Sequence, residues 1–338
     1  MKVALFEKPH RLTVTTKDLR PLNADEILVK VRACGVCGTD VHIVDGTSRS
    51  TPPVVLGHEY AGMVVDVGRA VHRVKPGDHV AVNPNISCGM CYFCCRGEVH
   101  LCANLRALGV DIDGGMAEFC LVPERQAYAL PVDMSPERSA FVEPVSCAIH
   151  GIERANIRVG DTVVIIGAGT IGLIMLQLAR NAGAARTIVI EPLDHKRLLA
   201  VDLGADIVVD QGDENPRDAV FDNTGVGADV VIECAGNIAA AELAIDLARR
   251  GGTIELFGVC PTGETARIEP NKVYFRELTI VGSFINPHTF SRAIDVLQTG
   301  RVRVDRFQIN KFSLDEVHDA LRYQREGKTI KSILIPNP

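Results

Sequence analysis

The stretch "DTVVIIGAGTIGLIMLQLARNAG", residues 161–183, changes its period halfway along. Residues 162–166 form a continuous apolar, β-branched run, the pattern of a strand buried on both faces, and from residue 170 the apolar positions take up helical spacing. Gly167, Gly169 and Gly172 stand between them in GxGxxG spacing, with Thr170 and Ile171 inside the motif. In this strand-to-helix setting the first glycine allows a tight turn, the second lets the backbone approach a pyrophosphate, and the third lets helix pack closely on strand. The next strand-like run, "ARTIVIE", ends in Glu191, about 20 residues further on. A carboxylate there can accept from a ribose hydroxyl and would repel a 2′-phosphate, so the stretch predicts a dinucleotide site that takes NAD in preference to NADP. A glycine turn that binds nothing is the plainer alternative, and Glu191 at this spacing argues against it. Arg197 is either a contact near the adenosine or an exposed helix arginine.

Outward from this stretch the alternation continues. "IVVD", "ADVVIECAG", "TIELFGV" and "LTIVGSF" read as strands, and "LDHKRLLAVDLG" and "AAAELAIDLARRGG" as helices. Strands alternating with helices predict a parallel sheet covered on both faces, so residues 151–290 form an α/β domain. Residues 1–150 read differently. Short β-branched runs such as "ILVKVRA", "AGMVVDVG" and "AEFCLVP", separated by turn signals, predict a β-rich unit. After residue 290 come a helix, a strand-like piece, a second helix and the strand "SILIP"; periodicity leaves open which unit this tail joins.

The 338 residues, 46% hydrophobic and 23% charged, have enough chain for two cores. A formal net charge of -6 argues against a nucleic-acid partner held by bulk electrostatics. No apolar run approaches the roughly 20 residues of a membrane span, and the first residues alternate like a strand without the apolar core of a signal peptide. The expected location is therefore cytoplasmic. Clustered cysteines in that compartment more often bind metal or react than form disulfides.

Of the eleven cysteines, Cys88, Cys91, Cys94 and Cys102 are spaced C-x2-C-x2-C-x7-C. Four thiolates on one tight loop suit a closed tetrahedral site, that of a structural zinc. Cys95 is a bystander, or replaces Cys94 through a register shift. A catalytic zinc needs an open position, and a second group offers one: Cys37, Thr39 and His42 in "CGVCGTDVH", and His58 and Glu59 in "LGHEYAG". A thiolate, an imidazole and a carboxylate from separate segments can hold an ion and leave room for an alcohol oxygen. The structural alternatives are buried thiols at Cys34 and Cys37, a core histidine at His58, a surface glutamate at Glu59, and a helix cap at Thr39 or Asp40.

Cys37, "GHE" at 57–59, the four-cysteine run, "GAGTIG" and the later "GSF" together resemble the zinc-dependent medium-chain dehydrogenase/reductase family over essentially the whole chain. "EPVSCAIHG" at 143–151 resembles its sorbitol and polyol dehydrogenase branch, while "CGTDVH" is shared with threonine dehydrogenases. The resemblance implies an α/β fold: a GroES-like β-rich catalytic domain, 1–150 completed by 291–338, plus a Rossmann domain with a doubly wound parallel sheet, 151–290. It implies two zinc ions per chain and NAD. It also implies a homodimer or homotetramer and a small-molecule alcohol or polyol substrate, with no membrane partner. Glu143 becomes a zinc ligand, direct or through water, and Cys147 a packing residue. Thr39 takes the alcohol proton and passes it through the nicotinamide ribose to His42 and water, as the secondary alcohol becomes a ketone. Polyol-phosphate and L-threonine 3-dehydrogenases are the alternatives within the family; Arg276, Arg301 and Arg303 are possible phosphate contacts, although "GRVRVDR" reads more simply as a solvated turn and strand. A zinc-ribbon binding module on an inactive scaffold is the alternative outside it.

Overall fold

The computed structural model describes residues 1–337 and divides them into two compact units. The first comprises residues 1–146, 287–298 and 307–337, and the second residues 147–286 and 299–306.

In the second unit the apolar runs become a six-stranded, wholly parallel sheet. Its spatial order is Ile207–Val209, Arg186–Ile190, Thr162–Ile166, Ala228–Glu233, Ala248–Leu256, Thr279–Gly282. The order reverses between Thr162–Ile166 and Ala228–Glu233, and such a switch point opens a crevice at the carboxyl ends of the strands. Residues 163–166 are buried, as two-sided coverage by helices requires. The helix expected across "AAAELAIDLARRGG" ends at Leu247, and the next strand begins at Ala248 opposite Ala228. The pairing then slips by a bulge that takes up the intervening arginines and glycines.

Glu255 is fully buried within this sheet, and neither of its carboxylate oxygens has a hydrogen-bond partner. A Cβ on Gly151 would stand 2.4 Å from the Met175 methyl and 2.8 Å from Glu255 Oε1, so the helix Val142–Ala155 packs closely over this carboxyl at a glycine. Burial pushes the carboxyl up to about 8, against a weaker opposing pull from Arg154.

In the first unit a seven-stranded sheet is built around the strand Glu26–Gly35, which pairs antiparallel with Glu59–Val67, Phe119–Pro123 and Lys331–Leu334. The tail therefore returns to this unit: Ile333 sits opposite Gly35 and Leu334 opposite Cys34. Residues 299–306, expected with that tail, pack instead with the second unit. The Arg303 N–H donates to Gln177 Oε1 at 2.7 Å, and Arg306 forms a two-pronged ion pair with Asp202 at 2.9 Å. "GRVRVDR" is thus a docked turn with Val302 and Val304 buried, and the strand begins only at Ile309.

Candidate active site

The short helix Gly38–Val44 starts at Cys37, which holds the N-cap position in place of Thr39 or Asp40. Asp40 closes the first turn reciprocally, as a capping box: its Oδ2 accepts from the Cys37 N–H at 2.9 Å, while the Cys37 side chain faces the Asp40 backbone N–H. Thr39 Oγ1 lies 3.6 Å from Cys37 Sγ. Thr39 and His42, three residues apart and half-buried, fall on one face of the helix. His42 Nδ1 is 3.2 Å from Thr47 Oγ1.

His58 and Glu59 lie where the strand Glu59–Val67 begins, and both are buried. One ligand atom each from Cys37, His58 and Glu59 lie within 4.8 Å of one another. A thiolate, an imidazole nitrogen and a carboxylate oxygen converging at this separation fit a zinc ion with its fourth position open. Asp40, fully buried, brings Oδ1 to 3.4 Å from His58 Nδ1, a charged contact in the position a carboxylate takes behind a metal-binding histidine. Burial alone would drive His58 toward its neutral form; the Asp40 charge and then Cys37 outweigh it, and the imidazole keeps its proton well above the usual range. A cation here would displace that proton.

Glu59 forms a buried ion pair with Lys331, whose side chain is 3% exposed. Burial pulls the Lys331 ammonium down, but Glu59 and Cys37 more than compensate and it stays charged. Neither Asp40 nor Lys331 was expected as part of the site. In the local sequence Asp40 reads as a possible cap, and Lys331, between Ile330 and Ser332, carries no signal of a site. Glu143 is not among the three residues whose ligand atoms lie within 4.8 Å of one another; it stands in the first turn of Val142–Ala155 and is 8% exposed. Cys34 is a fully buried packing thiol, as its alternative reading held.

The second cysteine group also assembles. One sulfur each from Cys88, Cys91, Cys94 and Cys102 lie within 4.8 Å of one another, while Cys95 is exposed and turned to the Met90 carbonyl at 3.6 Å. Backbone N–H groups aim at these sulfurs: those of Cys88 and Asn104 reach Cys102 Sγ at 3.2 and 3.3 Å. N–H donors at Met90, then the Cys102 side chain and the Cys91 N–H, lower the Cys88 thiol to about 6. Burial, then Cys91, raises Cys94 to about 11. A loop that offers N–H groups to sulfur favours thiolates, the form that binds zinc. Cys91→Ala is expected to lose one zinc per chain and to lower the melting temperature while the folded protein keeps its turnover. Metal analysis and activity of the native-size fraction check this, and inactivity in that fraction would mean the roles of the two groups are reversed.

In the second unit Gly167 has φ +97°, a conformation that glycine adopts without strain. A Cβ on Gly172 would fall 1.8 Å from the Gly167 carbonyl oxygen, so this helix can sit against its own entry turn only with glycine there. A Cβ on Gly169 would meet nothing within 4 Å, and the space above the N-cap of Thr170–Ala182 is open. Thr170, Ile171 and Gly172 form the first turn of this helix, whose N–H groups point at that space and suit a phosphate. Glu191 lies just beyond the strand and is 5% exposed; it accepts from the Ala168 N–H at 2.7 Å and the Leu193 N–H at 3.0 Å. It thereby fastens the glycine turn and keeps a second lone pair on each oxygen.

Arg197 is not an exposed arginine. It donates to the Glu191 and Pro192 carbonyls at 2.9 and 2.7 Å and pairs with Asp210 at 2.8 Å, bracing the loop beyond Glu191. Among the described residues no helix is long and apolar enough to cross a membrane.

Residues 23–132 match the family description of the alcohol dehydrogenase GroES-like domain, and residues 170–299 that of the zinc-binding dehydrogenases. The chain is 33% identical to D-arabinitol dehydrogenase 1 of Uromyces fabae over 342 residues, covering 100% of this chain and 97% of that protein. It is 36% identical to L-threonine 3-dehydrogenase of Thermococcus kodakarensis over 321 residues, covering 92% and 91%. A zinc-binding dehydrogenase from Sinorhizobium meliloti 1021, solved with NADP bound, superposes with a TM-score of 0.95 at 43% identity over 99% of both chains. By its two domains and full-length relatives, the chain belongs to the zinc-dependent medium-chain dehydrogenase/reductase family of the alcohol dehydrogenase superfamily, and is a zinc- and NAD-dependent oxidoreductase of CH–OH donors.

Proposed function

We propose that the chain oxidises a secondary hydroxyl of a sugar alcohol to the ketone, with Cys37, His58 and Glu59 as the protein's hold on the catalytic zinc and Glu143 as a fourth ligand, direct or through water. The observation that carries this reading is the convergence of three unlike ligand atoms within 4.8 Å, in a unit that also holds a separate four-thiolate group. When bound, zinc supplies Lewis acidity to the substrate oxygen and the nicotinamide accepts the hydride. Thr39 Oγ1 accepts the substrate hydroxyl proton as it releases its own, which moves on toward His42, one turn further on the same helix face, and from there to solvent. Asp40 fixes the His58 ring. Lys331 offsets the charge that Glu59 brings into a buried site. Cys88, Cys91, Cys94 and Cys102 hold the structural zinc.

The polyol reading rests on "EPVSCAIHG" at 143–151 and on the full-length arabinitol dehydrogenase relative. Oxidation of L-threonine is the second reading, favoured by "CGTDVH" and the 36% identical relative. NAD reduction by the zinc-loaded protein, measured on sugar alcohols, their phosphates, vicinal diols, simple secondary alcohols and L-threonine, separates the two. The highest kcat/KM is expected on sugar alcohols, and turnover confined to L-threonine would end the polyol reading.

Glu191 is proposed to select NAD. Its carboxylate would face a 2′-phosphate as a like charge, a juxtaposition worth several kcal/mol, so kcat/KM should favour NAD over NADP by about 10²-fold. Equal use of both coenzymes would remove Glu191 from that role.

A further inference from the structure

The second unit carries a cavity of about 410 Å³ at the end of its sheet opposite the glycine turn. Arg217, Arg250, Lys272 and Arg276 line it together with Asp246 and Phe221. Its walls come from the amino ends of the strands: Val226 precedes Ala228–Glu233, Arg250 lies near the start of Ala248–Leu256, and Arg276 precedes Thr279–Gly282. In a parallel sheet those ends lie one strand length, about 15–20 Å, from the carboxyl ends that hold the glycine turn.

Four cations converge here on one carboxylate. Asp246 is already paired with Lys272, and Asp218 reaches Arg217 only at 3.9 Å. Three of the cations are held in place by the fold. Arg276 donates to the Ile245 and Ala248 carbonyls, Lys272 is fixed by Asp246, and the Arg217 guanidinium lies 4.5 Å from the Phe221 ring centroid. Arg249 shows the ordinary alternative, since its charge is spent on Asp229 at 2.6 Å. Like charges gathered in one concavity repel, and an anion relieves the repulsion. The Arg217 and Arg250 guanidinium groups offer planar pairs of N–H donors, which match the oxygens of a phosphoryl group better than they match a single carboxylate, and Arg276, engaged by two carbonyls, adds its charge. Phe221 and Val226 add an apolar wall for the carbon skeleton of a small ester.

We infer that this cavity is a second anion site, separate from the coenzyme site, that binds the phosphoryl group of a small phosphorylated metabolite. Arg276, whose type alone suggested a phosphate contact, belongs to this site. The inference does not depend on which alcohol the enzyme oxidises.

The test is calorimetric titration of the zinc-loaded protein, saturated with NAD so that the glycine turn is occupied, with inorganic phosphate and with ribose 5-phosphate. Potassium chloride at matched ionic strength is the blank. Saturable binding is expected, weakened at least about tenfold in Arg217→Gln/Arg250→Gln, while that variant keeps parental NAD affinity and turnover. Tighter binding of ribose 5-phosphate would identify an organic ester as the ligand, and equal affinity would identify the free phosphoryl anion. No heat beyond the chloride blank, unchanged affinity in the double variant, or binding that appears only without NAD would each overturn the assignment.

Discussion

His58→Ala is expected to remove one of two zinc ions per chain and to lower turnover by more than about 10³-fold, with NAD affinity preserved. Losing even an outer partner of a metal ligand typically costs 10–100-fold, and losing the ligand itself costs more. Separation of the effects follows from the architecture. His58, Cys37 and Glu59 belong to one compact unit, and the glycine turn and Glu191 belong to the other. Asp40 loses its imidazole partner in this variant but keeps its bond to the Cys37 N–H, so the helix Gly38–Val44 retains its cap. Cys37→Ser, which leaves the His58 and Asp40 pair intact, is the companion variant. Metal analysis, coenzyme titration and initial rates on one preparation give the answer. Normal turnover in either variant would defeat the assignment of the catalytic site.

A second large effect is expected from pH. Glu255 titrates near 8 in the folded chain, against about 4.5 when exposed. Between those values the folded state holds a proton that the unfolded state has released, and stability falls as pH rises. The contribution is intact below about 4.5, declines through the window, and is lost above about 8. A shift of this size corresponds to about 5 kcal/mol. Glu255→Gln, which cannot ionise, should match the parent at pH 5 and exceed it by about that amount at pH 9. Other titrating groups affect both proteins alike, so the measurement is the difference between their urea midpoints across pH 5–9. A difference independent of pH would show that Glu255 is not a buried neutral acid.

What could be read from the sequence follows from how locally each feature is specified. The run "TVVIIGAGTIG" determines its own strand, turn and helix, because its apolar period and its glycines act within a few residues. The convergence of Cys37 from "CGTDVH" with His58 and Glu59 from "GHE" was foreshadowed differently, since the candidate chemistry lies in residue type. The counter-charges were not. Asp40 and Lys331 are ordinary charged residues in their local text, and only the sheet register that brings Lys331–Leu334 against Glu26–Gly35 buries Lys331 beside Glu59. Glu255 was hidden similarly, since in "TIELFGV" it looks like the polar position of a half-exposed strand. Coverage of both sheet faces turns that position inward. Residues 299–306 pack with the second unit because Arg306 finds its acidic partner in Asp202, about a hundred residues earlier and invisible to a local reading.

The return of the strand Lys331–Leu334 to Glu26–Gly35 also sets an order of assembly. A chain made from its amino end presents Glu26–Gly35 and Glu59 early, but the strand that completes their sheet and the lysine that balances Glu59 emerge only after nearly all of the second unit. Until then the sheet has an open edge, and the future metal pocket lacks its counter-charge. The parallel-sheet unit, drawn almost wholly from the continuous segment 147–286, has no such wait. The sheet that carries Glu59 is therefore completed only after the second unit has been made, and the group Cys37, His58 and Glu59 gains its balancing lysine at that same late step.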